Sequence, residues 1–305
     1  MDTLPNGFVS GLEQNKAGFV AVGRTPDGTA TVWQYSSGPG WETRSFGTDG
    51  VEFADLAVLA NGSFVVAGSQ RTTEQVGTAF VPVDDDDAFD PATVEDPDVP
   101  EVEVPIFEDR YEPAVWFADH KGGELQRESI EGAPLSGFLH AVAAIGNRVI
   151  AVGATTDGES QEGTRPLVLR RERSAWQARQ ATGLPGEYAE GSITALSATR
   201  GQWLLASSDI EGTTVYASRD EGHTWTSTSM ALPSAALVTA LAEDDEAFVG
   251  VESIIGEKAA VLGARGVDTF EGWPGLQEIV LTDSGPAAVV ASADRESQLL
   301  TRTEA

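Results

Sequence analysis

The chain has 305 residues, 41% of them hydrophobic, enough to bury a sizeable core and too apolar for a disordered chain. Its 48 acids against 19 lysines and arginines leave a formal charge of −29, which excludes the basic face that nucleic acid or an anionic membrane surface requires. Cysteine is absent, so there is neither a disulfide framework nor a thiol nucleophile, and no apolar run is long enough to insert into a membrane.

In chain order, one short apolar phrase returns six times: Gly18–Gly23 (GFVAVG), Ser63–Gly68 (SFVVAG), Arg148–Gly153 (RVIAVG), Gln202–Ser207 (QWLLAS), Ala247–Glu252 (AFVGVE) and Ala287–Ser292 (AAVVAS). A period of roughly 40–50 residues carrying about four strands marks a β-propeller blade. The expected fold is all-β: a single domain over residues 1–305, built as a six-bladed β-propeller of four-stranded antiparallel blades.

Period-2 alternation and turn residues lay out the strands. Blade one runs Phe8–Leu12, Phe19–Gly23, Thr29–Tyr35 and Trp41–Phe46. Blade three runs Phe138–Ala144, Arg148–Gly153, Pro166–Glu172 and Ala175–Gln180, and blade four Ser192–Ala198, Gln202–Ser207, Thr213–Arg219 and Thr224–Ser229. The third strands align so that Trp33, Trp116 and Tyr216 share a position suited to packing between blades. The last blade offers Leu276–Thr282, Ala287–Ser292 and Ser297–Thr303, and Met1–Pro5, or residues upstream of it, would supply the missing outer strand, which would close the ring and remove an exposed edge.

Blade two breaks the rhythm, with about 40 residues between its second and third strands. The insert, about 76–112, is Pro-rich, and its centre Asp84–Glu112 carries 13 acids and one base. That composition predicts an extended, self-repelling loop. Loops joining second to third strands emerge on the face where the inner strands begin, so the insert would overhang the channel mouth. Asp84, Asp85, Asp86 and Asp87 are candidate ligands for Ca²⁺, a hard cation that takes carboxylates. A solubilising loop and a docking arm for a basic partner are the other readings.

Between the third and fourth strands of blade four lies Ser218-Arg219-Asp220-Glu221-Gly222-His223-Thr224-Trp225. The Asp carboxylate can accept backbone amides across a tight turn, Gly supplies a positive φ, and Trp plugs the seam between sheets. Ser218, Asp220, Gly222, Thr224 and Trp225 fit Ser-x-Asp-x-Gly-x-Thr-Trp, which resembles the Asp-box (BNR repeat) of sialidase-like β-propellers. Partial versions occur at Trp41 and Trp176, while blade two carries Leu125 in the Trp position. The resemblance implies a structural turn on the face opposite the active site, and an exported bacterial, extracellular or cell-surface protein. Met1–Pro5 itself lacks the basic and apolar regions of a signal peptide. A sialidase of that family uses three arginines at inner-strand ends, a Tyr nucleophile with a Glu partner, and an Asp acid. The inner strands expected here carry no arginine, since Arg24, Arg71, Arg110 and Arg165 fall in predicted loops, so the catalytic set is not expected.

Aligning the inner strands by their phrases puts Ser10, Asp55, His140, Thr194, Thr239 and Glu278 at one register. One polar residue per blade would ring the central channel, either as a water-filled wall or, through Asp55, His140 and Glu278, as a ligand or cation site. Three functions follow. The first is a non-catalytic extracellular binding propeller, a monomer or part of a larger complex, taking a protein or carbohydrate partner at the channel mouth and needing no cofactor unless Ca²⁺ binds. The second is a carbohydrate-active, glycoside hydrolase-like enzyme using Asp55 and Glu278, with Tyr188 or Glu190 nearby, because glycosidases need two carboxyls with one raised pKa. The third is a scaffold whose acidic loop docks a partner.

Overall fold

The structure is a computed structural model. It describes residues 6–301 apart from 17, 37–39, 47–48, 83–100, 120–122, 135, 157–163, 187–191, 200, 210–211, 229–235, 244–246, 254–257, 264–265, 272–275, 283–284 and 292–296. Every regular element among the described residues is a strand.

The strands form six sheets. Sheet one contains β1 (Phe8–Asn15), β2 (Gly18–Arg24), β3 (Ala30–Ser36) and β4 (Gly40–Ser45); sheet two contains β5 (Val51–Val58), β6 (Phe64–Pro82), β7 (Glu101–Ala118) and β8 (Gln126–Glu128). Sheet three has β9 (Ile130–Glu131), β10 (Gly137–Ile145), β11 (Arg148–Thr156), β12 (Thr164–Glu172) and β13 (Ala175–Arg179), with β9 added in parallel to the outer edge of β13. Sheet four has β14 (Ser192–Thr199), β15 (Gln202–Asp209), β16 (Gly212–Ser218) and β17 (Thr226–Thr228). Sheet five has β18 (Ala236–Glu243), β19 (Ala247–Ser253), β20 (Lys258–Gly263) and β21 (Gly266–Glu271), and sheet six β22 (Leu276–Thr282), β23 (Gly285–Ala291) and β24 (Ser297–Thr301). All other pairings are antiparallel meanders in chain order. First strands lie side by side in sequence order, β1 with β5, β5 with β10, β10 with β14, β14 with β18 and β18 with β22, and β22 lies against β1. Met1–Pro5, expected as an outer strand of the last blade, is outside the described residues.

The recurring apolar phrases are the second strands, and their unbroken hydrophobicity has a packing cause. In β2, β6, β11 and β15 both faces are covered, so neither side of the pleat needs polar residues. In β2, Val20 and Val22 join a core with Val51, Phe53, Val66 and Trp116 of sheet two, while Ala21 faces the other way with Trp33 and Val9. In β6, Val65 and Ala67 face sheet three, where Trp176 is fully buried. Trp116 is buried between sheets one and two, Trp33 is buried with Val9, Leu12 and Ala21 of its own sheet, and Leu125 fills the place given to Trp elsewhere, in the core between sheets one and two.

Each first strand carries one extra residue against its second strand, between Val9 and Gly11, Phe53 and Asp55, Leu139 and Ala141, Ile193 and Ala195, Val238 and Ala240, and Leu276 and Glu278. Such a bulge bends and twists the strand locally. It also presses a carbonyl onto the end of the second strand. A Cβ at Gly23, Gly68 or Gly153 would lie 1.8, 1.9 or 2.0 Å from the carbonyl oxygen of Phe8, Glu52 or Phe138, closer than any real contact. The closing glycine of the repeated phrase is therefore a clearance residue.

The insert departs from the expected loop. Residues 70–82 and 101–112 are strand, paired rung by rung from Gln70↔Glu112 to Pro82↔Glu101 with one bulge between Gln75 and Gly77. β6 and β7 thus leave sheet two as a two-stranded arm of about 40 Å, taking roughly 3.4 Å per residue. The β-branched residues Thr72, Thr73, Val76 and Thr78 of β6 and Val102, Val104 and Ile106 of β7 suit the extended backbone, and cross-strand ion pairs Arg110–Glu74 at 3.1 Å and Arg71–Asp109 at 3.6 Å offset the expected self-repulsion. Asp84, Asp85, Asp86 and Asp87 lie outside the described residues.

Candidate functional site

The start of each first strand and the end of each second strand meet at one face, as in Phe8↔Arg24 and Val51↔Gln70. On that face a pocket of about 470 Å³ opens at the seam of sheets one and two, lined by Phe8, Ser10, Arg24, Glu52, Phe53 and Arg71 among others. The Arg24 guanidinium lies 4.9 Å from the centroid of the Phe8 ring, a cation–π geometry. Arg71 is held at the pocket wall by its own amide, which donates to the Gly50 carbonyl at 2.6 Å. Among the described residues no carboxylate forms an ion pair with Arg24, and Arg71 has only the long, exposed contact with Asp109. Arg24, Glu52 and Arg71 are exposed, so a ligand entering from solvent meets two guanidiniums and a carboxylate around one rim.

Below this rim the inner strands are joined through their bulges. The Ser10 hydroxyl donates to the Phe53 carbonyl of the next sheet at 2.7 Å. Asp55 accepts the Leu56 amide at 2.7 Å and, across the seam, the Val142 amide of β10 at 2.8 Å. It is 9% exposed. Gly11 makes room for it, since a Cβ there would lie 2.8 Å from Asp55 Oδ1. Burial drives the Asp55 carboxyl well above the usual carboxylate range; the two amides oppose this and the Glu13 charge adds to it. Glu13 on β1 keeps contact with solvent, yet protein surrounds it closely enough that desolvation lifts its carboxyl to about 7 against a hydrogen bond from the Gln14 backbone.

The polar ring expected from the inner strands is not at a single register. Ser10, His140, Thr194 and Thr239 are the bulge residues of their strands, but in sheets two and six the bulge falls on Ala54 and Gln277. Asp55 and Glu278 stand one residue further on, where the other strands have Gly11, Ala141, Ala195 and Ala240. A shift of one residue turns a side chain to the other face, which is why Asp55 enters a seam between first strands. His140 packs edge-on to Phe138, ring centroids 4.7 Å apart, and burial lowers its imidazole to about 4. Its Nε2 and the Thr239 hydroxyl are the two buried side-chain polar atoms without a partner among the described residues. For Glu278 the backbone pairing to Val289 is described; Tyr188 and Glu190 are outside the described residues. No group of three or more His, Asp or Glu able to hold a metal occurs among the described residues.

The Ser218–Trp225 turn sits at the opposite end of its sheet. The Gly222 amide donates to the Ser218 hydroxyl at 2.9 Å, that hydroxyl donates to Asp220 Oδ1 at 2.9 Å, and the Thr224 amide donates to the same oxygen at 2.8 Å. Burial alone would raise the Asp220 carboxyl, but the Thr224 and Ser218 hydrogen bonds outweigh it and hold the group below its ordinary range. Gly222 has φ +81°, and a Cβ there would press on Ile150 and Val168 of sheet three. Trp225 is buried in the seam of sheets three and four and donates its indole N–H to the Gly222 carbonyl at 3.0 Å. Glu221 pairs with Arg148 at 3.0 Å and with Arg170, tying the turn to sheet three.

Two features escaped the sequence reading. Arg24, Arg71, Arg110 and Arg165 are strand residues, not loop residues: Arg24 ends β2, Arg71 lies in β6, Arg110 in β7 and Arg165 in β12. The signal for the first two was their place shortly after the clearance glycines Gly23 and Gly68. The second is a clamp at the outer rim, where Glu128 of β8 accepts Arg171 Nε and Nη2 at 2.9 and 2.5 Å and the Trp176 indole at 2.7 Å.

No protein-family model matches the chain, and no curated protein matches it. Solved structures do. A Hadza microbial sialidase, Hz136, superposes with a TM-score of 0.59 at 12% identity, over 97% of this chain and 66% of its own. AofleA from Arthrobotrys oligospora gives 0.57 at 9% identity, over 99% and 86%. A Trypanosoma rangeli sialidase in complex with sialic acid gives 0.58 at 9% identity, over 96% and 53%. The chain thus spans about two thirds and about half of the length of the two sialidases. These likenesses define a sialidase-like β-propeller fold.

Proposed function

We propose that the chain is a non-catalytic six-bladed binding propeller that takes a hydroxyl-rich, carbohydrate-like ligand on its mouth face, in the pocket between the first two blades. The observation that carries this is the rim of Arg24, Arg71 and Glu52 around a 470 Å³ pocket in a strongly acidic molecule. Guanidiniums and a carboxylate together supply the donors and acceptors that sugar hydroxyls pair with. The competing carbohydrate-active enzyme needs Asp55 and Glu278 as a reactive pair. Asp55 accepts the amide of Leu56 on its own strand and that of Val142 across a seam of first strands, which favours a positioning role for it, and so the binding reading.

A glycan array probed with the purified chain tests this, followed by titration of the bound glycan. Arg24→Ala and Glu52→Gln should each weaken binding about tenfold, the worth of one hydrogen bond to a charged group. Both groups are exposed, so the melting temperature should not move. Undiminished binding by both variants would place the ligand elsewhere.

A further inference from the structure

The arm of β6 and β7 has no function in the pocket reading, and its physical state is unusual. Beyond the hairpin rungs shared with sheet two it is an isolated two-stranded ribbon, a form that is marginally stable in water by itself. The large apolar side chains that stand exposed among the described residues are all on it: Val76 46%, Val104 41%, Ile106 44%, Phe107 57% and Tyr111 36%. Strand alternation sends Val104 and Ile106 to one face and Phe107 and Tyr111 to the other, so neither face is the solvent face.

Among the described residues both long edges are open. β6 pairs with β5 only as far as Gln70, and β7 with β8 only from Val115. The two edges differ. The β7 edge contains Pro105 and Pro113, which have no N–H to give, whereas the β6 edge from Thr72 to Val81 has no proline. An open, proline-free edge with exposed apolar neighbours is a template for an added strand. Residues 70–82 and 101–112 hold six acids against two bases in a chain of −29. A second copy would bring the same charge and be repelled, while a basic segment would be drawn in.

We propose that the β6 edge of the arm docks a partner protein by accepting a strand of alternating apolar and basic residues. The added strand makes the ribbon three-stranded; its alternation turns the apolar residues to the face of Phe107 and Tyr111 and the lysines or arginines to the opposite face, against Glu74 and Glu108 with their aliphatic stems over Ile106. Nothing in this depends on the mouth pocket.

The experiment uses the full chain and three labelled ten-residue peptides, (Lys-Val)5, (Lys-Ser)5 and (Glu-Val)5, read by fluorescence anisotropy at low and physiological salt. (Lys-Val)5 should bind at least about tenfold tighter than either control and weaken as salt rises. The triple variant Val76→Ser, Ile106→Ser, Phe107→Ser should lose at least about tenfold, and so should a chain in which Thr72 is joined to Arg110 through Asn-Gly. The second variant keeps a hairpin turn and removes the arm, and melting curves report whether either variant has failed to fold. Equal binding of (Lys-Ser)5 would reduce the effect to bulk charge and overturn the proposal. Retention of (Lys-Val)5 by the trimmed chain would also overturn it. So would arm-dependent self-association on sedimentation, or arm-dependent binding to phosphatidylcholine vesicles, either of which gives the surface a different occupant.

Discussion

At the scale of single residues, position within a hydrogen-bond network decides what each polar group is worth. In the Ser218–Trp225 turn the two hydrogen bonds differ in burial: the one the Gly222 amide donates to Ser218 is buried, the one the Thr224 amide donates to Asp220 is exposed. Ser218→Ala strands a buried donor and should cost about 1–3 kcal/mol, whereas water replaces Asp220 in Asp220→Ala, for about 1 kcal/mol or less. Urea midpoints of the two variants check the order, and neither should alter ligand binding on the other face. The Asp-box motif read from sequence points to Asp as the emblem of this turn; burial shifts the larger cost to Ser. Glu13 contributes to the pH dependence, in the same sense as Asp55, whose carboxyl burial also raises. Its folded carboxyl titrates at about 7 against an ordinary 4.5, so the native state holds a proton that the unfolded chain has released between those values. Its contribution is fully present below 4.5 and is lost as pH rises through 7. The melting temperature of the wild type should therefore fall relative to Glu13→Gln between pH 5 and pH 8, a comparison in which the opposite contribution of His140 cancels. Parallel curves would show that Glu13 is ionised throughout. None of this was readable in the phrases FVSGL and FADLA, because an inner-strand bulge shifts by one residue with no change in apolar pattern, and only the seam contacts of Asp55 reveal it.

At the scale of elements, legibility followed covering. The second strands stood out in the sequence because, in the first four sheets, both of their faces are buried, which forces an uninterrupted apolar run. Fourth strands, half exposed and short, showed mainly through Trp41, Trp176 and Trp225. The arm was misread because its acids and prolines mimic a disordered segment. Its strand signal, Thr72, Thr78, Val104 and Ile106 among them, is diluted by charges that the cross-strand pairs with Arg71 and Arg110 accommodate. The corrected boundaries change which part of the insert can be removed. Cutting Asp84–Glu112 would delete most of the described arm strand of β7 up to the rung beside Pro113. Joining Thr72 to Arg110 by Asn-Gly, a favoured two-residue hairpin turn, leaves the blade intact and removes little buried area. Differential scanning calorimetry should give that chain a melting temperature within a few degrees of wild type, since exposed apolar residues contribute little to folding. A large drop would mean the arm packs on something in the folded chain.

At the scale of the whole molecule, the period and the single intact motif led to a fold that solved structures at 9–12% identity share. A ring of repeated sheets is legible because each repeat must bury the same faces, whereas a site used once in the ring has no periodicity to betray it. The mouth pocket draws Arg24 and Arg71 from the second strands of two different repeats, so neither arginine looks special alone. Connection between repeats was equally hidden. The Ser129 carbonyl accepts the Trp176 amide at 3.0 Å, and the Thr182 carbonyl accepts the Trp225 amide at 2.8 Å, so the segments linking sheets are stitched to the outer strand of the sheet they enter.

The outer-rim clamp at Glu128 has a mechanical meaning. Glu128 belongs to β8, which pairs directly with the arm strand β7, and it grips Arg171 and Trp176 of sheet three with side chains only 11% and 12% exposed for the ion pair. An arm of about 40 Å is a long lever, and a two-stranded root by itself would twist under any load applied at its tip. The clamp spreads that torque from sheet two into sheet three, and the Trp225 stitch passes it on to sheet four. A tug on the arm would thereby be shared by a wall three sheets wide.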